Sequence, residues 1–243
     1  MIKWNKFAED YDRKRRTPWN ELVSFLYSIK REDYKFKGTN LDLGCANGRH
    51  FEVFSSEYNR IIGIDNSIEF LKIAKKRLSQ NQEHNGNLHY VDLILADMAK
   101  LPVRKDTIDN IFSIAALHHI KSSKERETTF NLLNAILKPE GYLLITVWRR
   151  WQKRFRKHFI KDWIKRILLS SHKKNEIGKG LQEFGDIFVP WTNSSQNITI
   201  NRFYHLYSSR EFQKLLADFE IKKFEKMGGP GGKDNFFVLA KKE

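Results

Sequence analysis

Apolar residues fall along this chain in blocks whose spacing switches between the period of a helix and the unbroken run of a buried strand. Residues 5–16 mix acids, bases and aromatics at helical spacing, and Thr17-Pro18 supplies a cap and a first-turn proline for a second helix through Ile29. Two helices therefore precede the first short strand, Leu41–Leu43. A second apolar strand, Ile61–Asp65, leads to Ser67, which caps a helix running to Ser79 with Leu71, Ala74 and Leu78 on its apolar face. Strand signals recur at His89–Leu95, Asp109–Ala116 and Tyr142–Trp148, the second of these an unbroken run of the kind buried in parallel sheets. A helix over Ser123–Leu137 is stopped by Lys138-Pro-Glu-Gly141. Ser208 or Ser209 caps the last helix, and Phe219–Phe224 and Asn235–Ala240 flank Gly228-Gly-Pro-Gly-Gly232 as an antiparallel hairpin. Five alternations of strand and helix predict a doubly wound α/β sheet.

One segment breaks that rhythm. From Arg149 to Lys179 there are twelve lysines and arginines against two acids, Asp162 and Glu176. Trp151, Phe155, Phe159, Trp163 and Ile167 recur every fourth residue with Ile160, Ile164 and Leu168 beside them, so one helical face is apolar and another basic. Such a helix can dock on a membrane, pack on the core while its cations meet phosphates, or simply be solvated. Residues 175–200, polar and glycine-containing, read as a loop or poorly ordered insert. At 243 residues the chain reads as a single domain over 1–243, with a helical cap over 1–38 and a basic insert over about 149–200.

Charge sharpens the picture. Lysine and arginine number 44 against 29 acids, a net charge of +15, which points to a polyanionic partner: nucleic acid first, an anionic membrane surface second. The lone cysteine, Cys45, excludes an internal disulfide and a multi-cysteine metal site, and suits a reducing, cytoplasmic setting. No apolar run reaches the roughly 18 to 20 residues of a membrane span, and the first residues do not read as a secretory signal.

The candidate chemistry begins at Asn40-Leu-Asp-Leu-Gly-Cys-Ala-Asn-Gly48, a strand entering a tight turn before a helix expected near Arg49. Small residues there let a ligand approach the backbone. Asp65, 21 positions after Gly44 at the end of the next strand, can accept hydrogen bonds from both hydroxyls of a ribose. The dinucleotide fingerprint would want glycine at position 49, where this chain has Arg49. Leu117-His118-His119-Ile120 emerges at the C-terminal end of the fourth strand, where open α/β sheets bind ligands. Adjacent histidines in a turn seldom converge on one ion, so no metal is expected; one packs while the other faces the pocket.

Asp42 with Gly44-x-Ala46-x-Gly48 resembles motif I of the class I S-adenosylmethionine-dependent methyltransferases, with Ala46 in place of that family's middle glycine. The resemblance implies a Rossmann-like, seven-stranded sheet and S-adenosyl-L-methionine as cofactor. It implies Asp42, Gly44, Ala46, Gly48, Asp65 and Asn66 as cofactor residues, with Asp97 and Met98 at the adenine. Arg16-Thr-Pro-Trp19, Ser113–His119, Val189-Pro-Trp191, Arg202–Tyr207 and Asp234-Asn235 further resemble the tRNA methyltransferases that esterify 5-carboxymethyluridine at the wobble position. By that resemblance Arg16 or Arg202 holds the acceptor carboxylate or a nearby phosphate, and Trp19 or Trp191 stacks on an extruded uracil or anchors the fold. Tyr204, His205 and His118 are candidates for the uracil's polar edges, and Asp234 and Asn235 contact substrate or brace the site. The family also commonly works with a small zinc-binding activator that adds a strand to the sheet edge. Two other readings remain: a methyltransferase for a quinone or lipid precursor docked on a membrane, and a non-catalytic RNA-binding scaffold.

Overall fold

The computed structural model describes residues 3–32, 34–55, 59–83, 90–193 and 198–243; His89, expected at the start of the third strand, lies outside them. The sheet is built from β1 (Gly38–Leu43), β2 (Asn59–Asp65), β3 (Val91–Leu95), β4 (Ile108–Ile114), β5 (Leu137–Trp148), β8 (Glu220–Met227) and β9 (Asn235–Lys241), in the order β3-β2-β1-β4-β5-β9-β8. The first five pair in parallel, and β9 runs against both β5 and β8. The doubly wound sheet expected from the alternation is therefore present, with the seven strands that the resemblance implies, closed by the C-terminal hairpin.

Strict alternation along the central strands feeds two layers. In β4 and β5, Ile111 and Leu143 face one core with Phe130 and Leu133 of α5 (Ser123–Ile136) and Phe212 of α8 (Ser209–Leu215). Phe112 and Leu144 face the other, with Leu22 and Phe25 of α2 (Asn20–Arg31), Phe51 of α3 (Phe51–Phe54) and Leu71 of α4 (Ile68–Glu83). Both faces being covered explains why these strands read as continuous apolar runs. Ser67 caps α4 through its hydroxyl, and Ser208 closes a capping box with Glu211 at α8.

Three local expectations are corrected. The helix expected near Arg49 begins two residues later and is only the single turn Phe51–Phe54. Thr17 does not cap α2; that place falls to Trp19, which offers no side-chain cap, and Pro18 precedes it. Lys138–Gly141 ends α5 but is not a loop, because β5 starts at Leu137, paired with Ile108, and a register shift absorbs the extra residues.

The largest correction is the insert. A short 3-10 turn (Lys3–Phe7) and α1 (Ala8–Lys14) lie against it, and residues 175–200 are not a loop throughout. α6 (Arg156–Leu168) and α7 (Ser170–Gly178) lead into β6 (Asp186–Asn193), paired antiparallel with β7 (Ile198–His205) in a separate two-stranded sheet. A bare hairpin is marginal in water, and this one is covered: Ile187, Val189 and Tyr204 pack with Phe155 and Phe159. The polar positions between those residues hid the strands from a composition-based reading.

Candidate functional site

β1 lies between β2 and β4, so the strand order reverses beside it, and a cleft opens there at the carboxyl ends of the strands. It measures about 870 Å³ and runs from the loops after β1 and β2 to the turn after β4 and the β6–β7 hairpin.

At one end the backbone itself forms the wall. Gly44 has φ +77°, and a Cβ there would lie 2.5 Å from the Cβ of Ala116, so only glycine fits. Ala46 adopts φ +48°, a left-handed conformation costing an alanine about 1–2 kcal/mol. Part of that cost is offset because its N–H donates to Asp65 Oδ2 at 3.0 Å, while Ser67 N–H donates to Oδ1 at 2.9 Å. Burial lifts the Asp65 carboxyl to about 6 against those N–H bonds. Asp42 lies deeper, lifted to about 8 by burial and then by Asp65, and its Oδ2 is buried with no hydrogen-bond partner among the described residues. Asn66, Asp97 and Met98 line the cleft, with the Asp97 carboxylate accepting from Ala99 N–H at 2.9 Å. Asp42 and Gly48 do not line it: Gly48 shapes the turn over the Phe51 ring, and Asp42 acts from beneath.

Two acids held above their ordinary carboxylate range beside a Cβ-free wall suit a cationic ligand with a ribose. S-adenosylmethionine, with its sulfonium and ammonium, fits that description; Gly44, Ala46, Asp65, Asn66 and Asp97 of the lining would hold it, with Asp42 beneath.

The opposite end is aromatic. His118 Nδ1 accepts from Trp148 N–H at 3.3 Å, which leaves the proton on Nε2. His119 Nδ1 faces the Phe203 carbonyl at 2.8 Å and must donate, since a carbonyl only accepts. Burial holds His118 well below its ordinary value and His119 at about 3, so both are neutral. Tyr204 stacks on His118 and Trp148 with centroids 4.8 and 4.4 Å away, and burial pushes its phenol up to about 12. The Arg202 guanidinium sits over Trp191 at 4.7 Å and Tyr204 at 5.1 Å, and its Nε is buried without a hydrogen-bond partner among the described residues.

Several expected residues take other places. Trp191 lines the cleft, but its ring stacks on Phe7 and lies under Arg202 and Lys14, and its N–H is held by Asp10 Oδ2 at 2.8 Å. It anchors the hairpin to α1, the second of the roles the sequence left open. Trp19 packs on Phe237 while reaching the cleft. Asp234 accepts from Gly231 N–H and Asn235 donates to the Met227 carbonyl, so both brace the loop that borders the cleft. Arg16 does not line the cleft: its side chain is 73% exposed, 4.0 Å from Asp12. Its neighbour Arg15 lines the cleft instead, as do Tyr11, Trp148 and Gln152. Trp148 was recoverable in principle, being the last residue of the fifth strand and so at the ligand end of the sheet.

His205 is a correction. It is fully buried outside the cleft, with Nδ1 on Asp186 at 2.7 Å and Nε2 on Glu211 at 2.5 Å. Glu183, His205 and Glu211 come close enough to hold a cation, but Arg126 pairs with Glu183 and Arg150 with Glu211, so that charge is already met. Burial disfavours the imidazolium, and the hydrogen bonds its N–H groups donate to the two carboxylates outweigh it, raising the His205 pKa. The folded protein thus binds this proton more tightly than the unfolded chain, so the stabilisation is complete below 6.5 and is lost as pH rises through the raised value. Melting temperature should fall over that interval in the wild type and show no such step in His205→Gln.

A family model described as a methyltransferase domain matches residues 41–145. The chain is 26% identical over 263 residues to the tRNA (carboxymethyluridine(34)-5-O)-methyltransferase of Schizosaccharomyces pombe, covering 98% of this chain and 94% of that one. It is 27% identical over 150 residues to the mouse tRNA (carboxymethyluridine(34)-5-O)-methyltransferase ALKBH8, covering 62% of this chain but only 20% of the relative, so it spans a fifth of that protein. Among solved structures, a S-adenosylmethionine-dependent methyltransferase from Methanosarcina mazei superposes with a TM-score of 0.68 at 20% identity, covering 88% of this chain and 96% of that one. Sheet order, glycine turn and matched segment agree: the chain carries a methyltransferase domain with the class I S-adenosylmethionine-dependent fold.

Proposed function

We propose that this protein esterifies the carboxymethyl group of a modified wobble uridine in tRNA. The observation that carries the reading is Arg202, a half-buried arginine that lines the same cleft as Asp65 and whose buried Nε has no hydrogen-bond partner among the described residues. The names of the fission-yeast and mouse relatives support the same substrate. Bound S-adenosylmethionine supplies an electrophilic methyl group. A carboxylate is already a nucleophile, so the protein needs no strong general base, which agrees with neutral His118, His119 and Tyr204. The protein's own contribution is orientation: Arg202 presents a fork to the acceptor, and Tyr204, His118 and Trp148 form a wall that keeps water from it.

The mouth of the cleft carries Lys14, Arg15, Arg49, Lys121 and Arg154, a cationic rim suited to the phosphates around an extruded nucleotide. β3 ends the sheet at one side, with Tyr90 and Leu95 exposed beside it, and is the edge to which a zinc-binding activator would add a strand. No described helix is long and apolar enough to cross a membrane. A cytoplasmic location suits the reading and the buried free thiol of Cys45.

The test is methyl transfer to bulk tRNA from cells lacking this protein, with nucleosides identified by mass spectrometry. A methyl ester on the uridine side chain supports the reading; methyl appearing in lipid extract and not in tRNA removes it. Lys121→Glu with Arg154→Glu should weaken tRNA binding and flatten its salt dependence by about one unit of slope per charge removed, at unchanged cofactor affinity.

A further inference from the structure

α6 has two apolar faces, and only one is used. Phe155, Phe159 and Asp162 turn inward, Asp162 being held by Arg166 at 2.7 Å and His172 at 2.9 Å. At about 100° per residue, Trp163, Ile167, Ile160, Ile164 and Leu168 fall on a separate arc beginning beside that face. These five stay outside: Leu168 is 72% exposed, Ile167 62% and Trp163 53%. Leu169 of the adjoining turn and Ile177 of α7 are exposed as well. Lys161 and Lys165 continue round the helix from the apolar arc, Lys157 lies at its margin beside Leu168, and no ion pair with a described residue engages the three.

We propose that this face docks on an anionic lipid bilayer surface, α6 lying in the plane of the headgroups with Trp163, Ile167 and Leu168 inserted and the lysines on lipid phosphates and carboxylates. Contiguous large apolar side chains of this extent mark an interaction surface. A second copy would bring the same lysines against these, and like charges oppose that pairing. RNA phosphates satisfy the cations but leave Ile164, Ile167 and Leu168 in water. A bilayer with acidic headgroups satisfies both kinds of group at once, and tryptophan is favoured at its interface. Since α6 is too short and too charged to span, the contact is peripheral. The inference is independent of the substrate reading, because none of these side chains lines the cleft.

The test is flotation of the full chain with phosphatidylcholine vesicles prepared with and without phosphatidylserine, at physiological ionic strength. The wild type is expected to float only with the acidic vesicles. Combined Trp163→Ser, Ile167→Ser and Leu168→Ser should lower partitioning about tenfold or more, and combined Lys157→Glu, Lys161→Glu and Lys165→Glu about a hundredfold. Cofactor affinity and tRNA methylation in solution should be unchanged in both, which confirms that the fold and the cleft are intact. Failure of the wild type to float would overturn the proposal. So would equal flotation of the serine variant, which reduces the effect to bulk charge. Loss of tRNA binding by the serine variant would make the face a nucleic-acid surface, and a wild-type dimer that the variant dissociates would make it a self-association surface; either replaces the proposal.

Discussion

Asp65→Ala is expected to weaken S-adenosylmethionine binding by about tenfold or more, roughly 1.5 to 3 kcal/mol, in a protein that still folds. The carboxylate already accepts from Ala46 and Ser67 N–H groups, which orient it, and its remaining lone pairs face the cleft. Its position costs something in the free protein. Burial raises its pKa to about 6, so the folded state holds the proton more tightly than the unfolded chain, and this group opposes folding as pH rises above its unfolded value. A ligand that brings ribose hydroxyls and positive charge reverses that preference. Two consequences can be read by calorimetry. Affinity should fall as pH drops through about 6 in the wild type and lack that step in Asp65→Asn. Binding near neutral pH should release protons, seen as a buffer-dependent enthalpy, because Asp42, lifted to about 8, is then largely protonated until a cation arrives. Unchanged affinity in folded Asp65→Ala would remove it from the ribose site.

The residues at the cofactor end were legible because their chemistry is local. The glycine turn, the acid at the end of the second strand and the acid after the third each sit a few residues from a strand end, and strand ends define the cleft in this class of sheet. The other end was legible in residue type and less so in place. Arg202, Tyr204 and Trp191 were singled out, and all three reach the cleft. His205 stands next to Tyr204, and the alternation of a strand sends it to the opposite side, into the Asp186 and Glu211 carboxylates. That exclusion was unavailable while the segment before it was read as a loop: without a strand there is no alternation to apply. The same error concealed the hairpin itself, whose apolar positions become a core only when α6 covers them. Arg16 and Arg15 show a milder case. Beyond the end of α1 no period decides which of two adjacent arginines turns inward, and packing against Asp12 and the rest of the corner settles it.

Arg202→Lys should lower the single-turnover methylation rate on carboxymethyl-bearing tRNA by about a hundredfold, while cofactor affinity and melting temperature change little. The guanidinium lies over the Trp191 and Tyr204 rings, with burial drawing its pKa down from the ordinary arginine value and Tyr204 opposing that shift. Planarity is what makes the arrangement work: a guanidinium keeps its N–H groups in one plane, matched to the two oxygens of a carboxylate. An ammonium keeps the charge and loses both the stacking and the paired geometry, so the acceptor oxygen is attracted without being aimed. Orientation is the main thing this protein can contribute to a displacement that needs no proton transfer, which is why the loss should appear in rate rather than in binding. Stability is protected because the hairpin stays fastened to α1 by Trp191 and Asp10, a contact the substitution leaves alone. A purely structural arginine would behave differently, losing melting temperature and rate together. Measuring both on the same Arg202→Lys protein decides the matter: wild-type turnover, or a parallel loss of stability and rate, would take Arg202 out of the reaction.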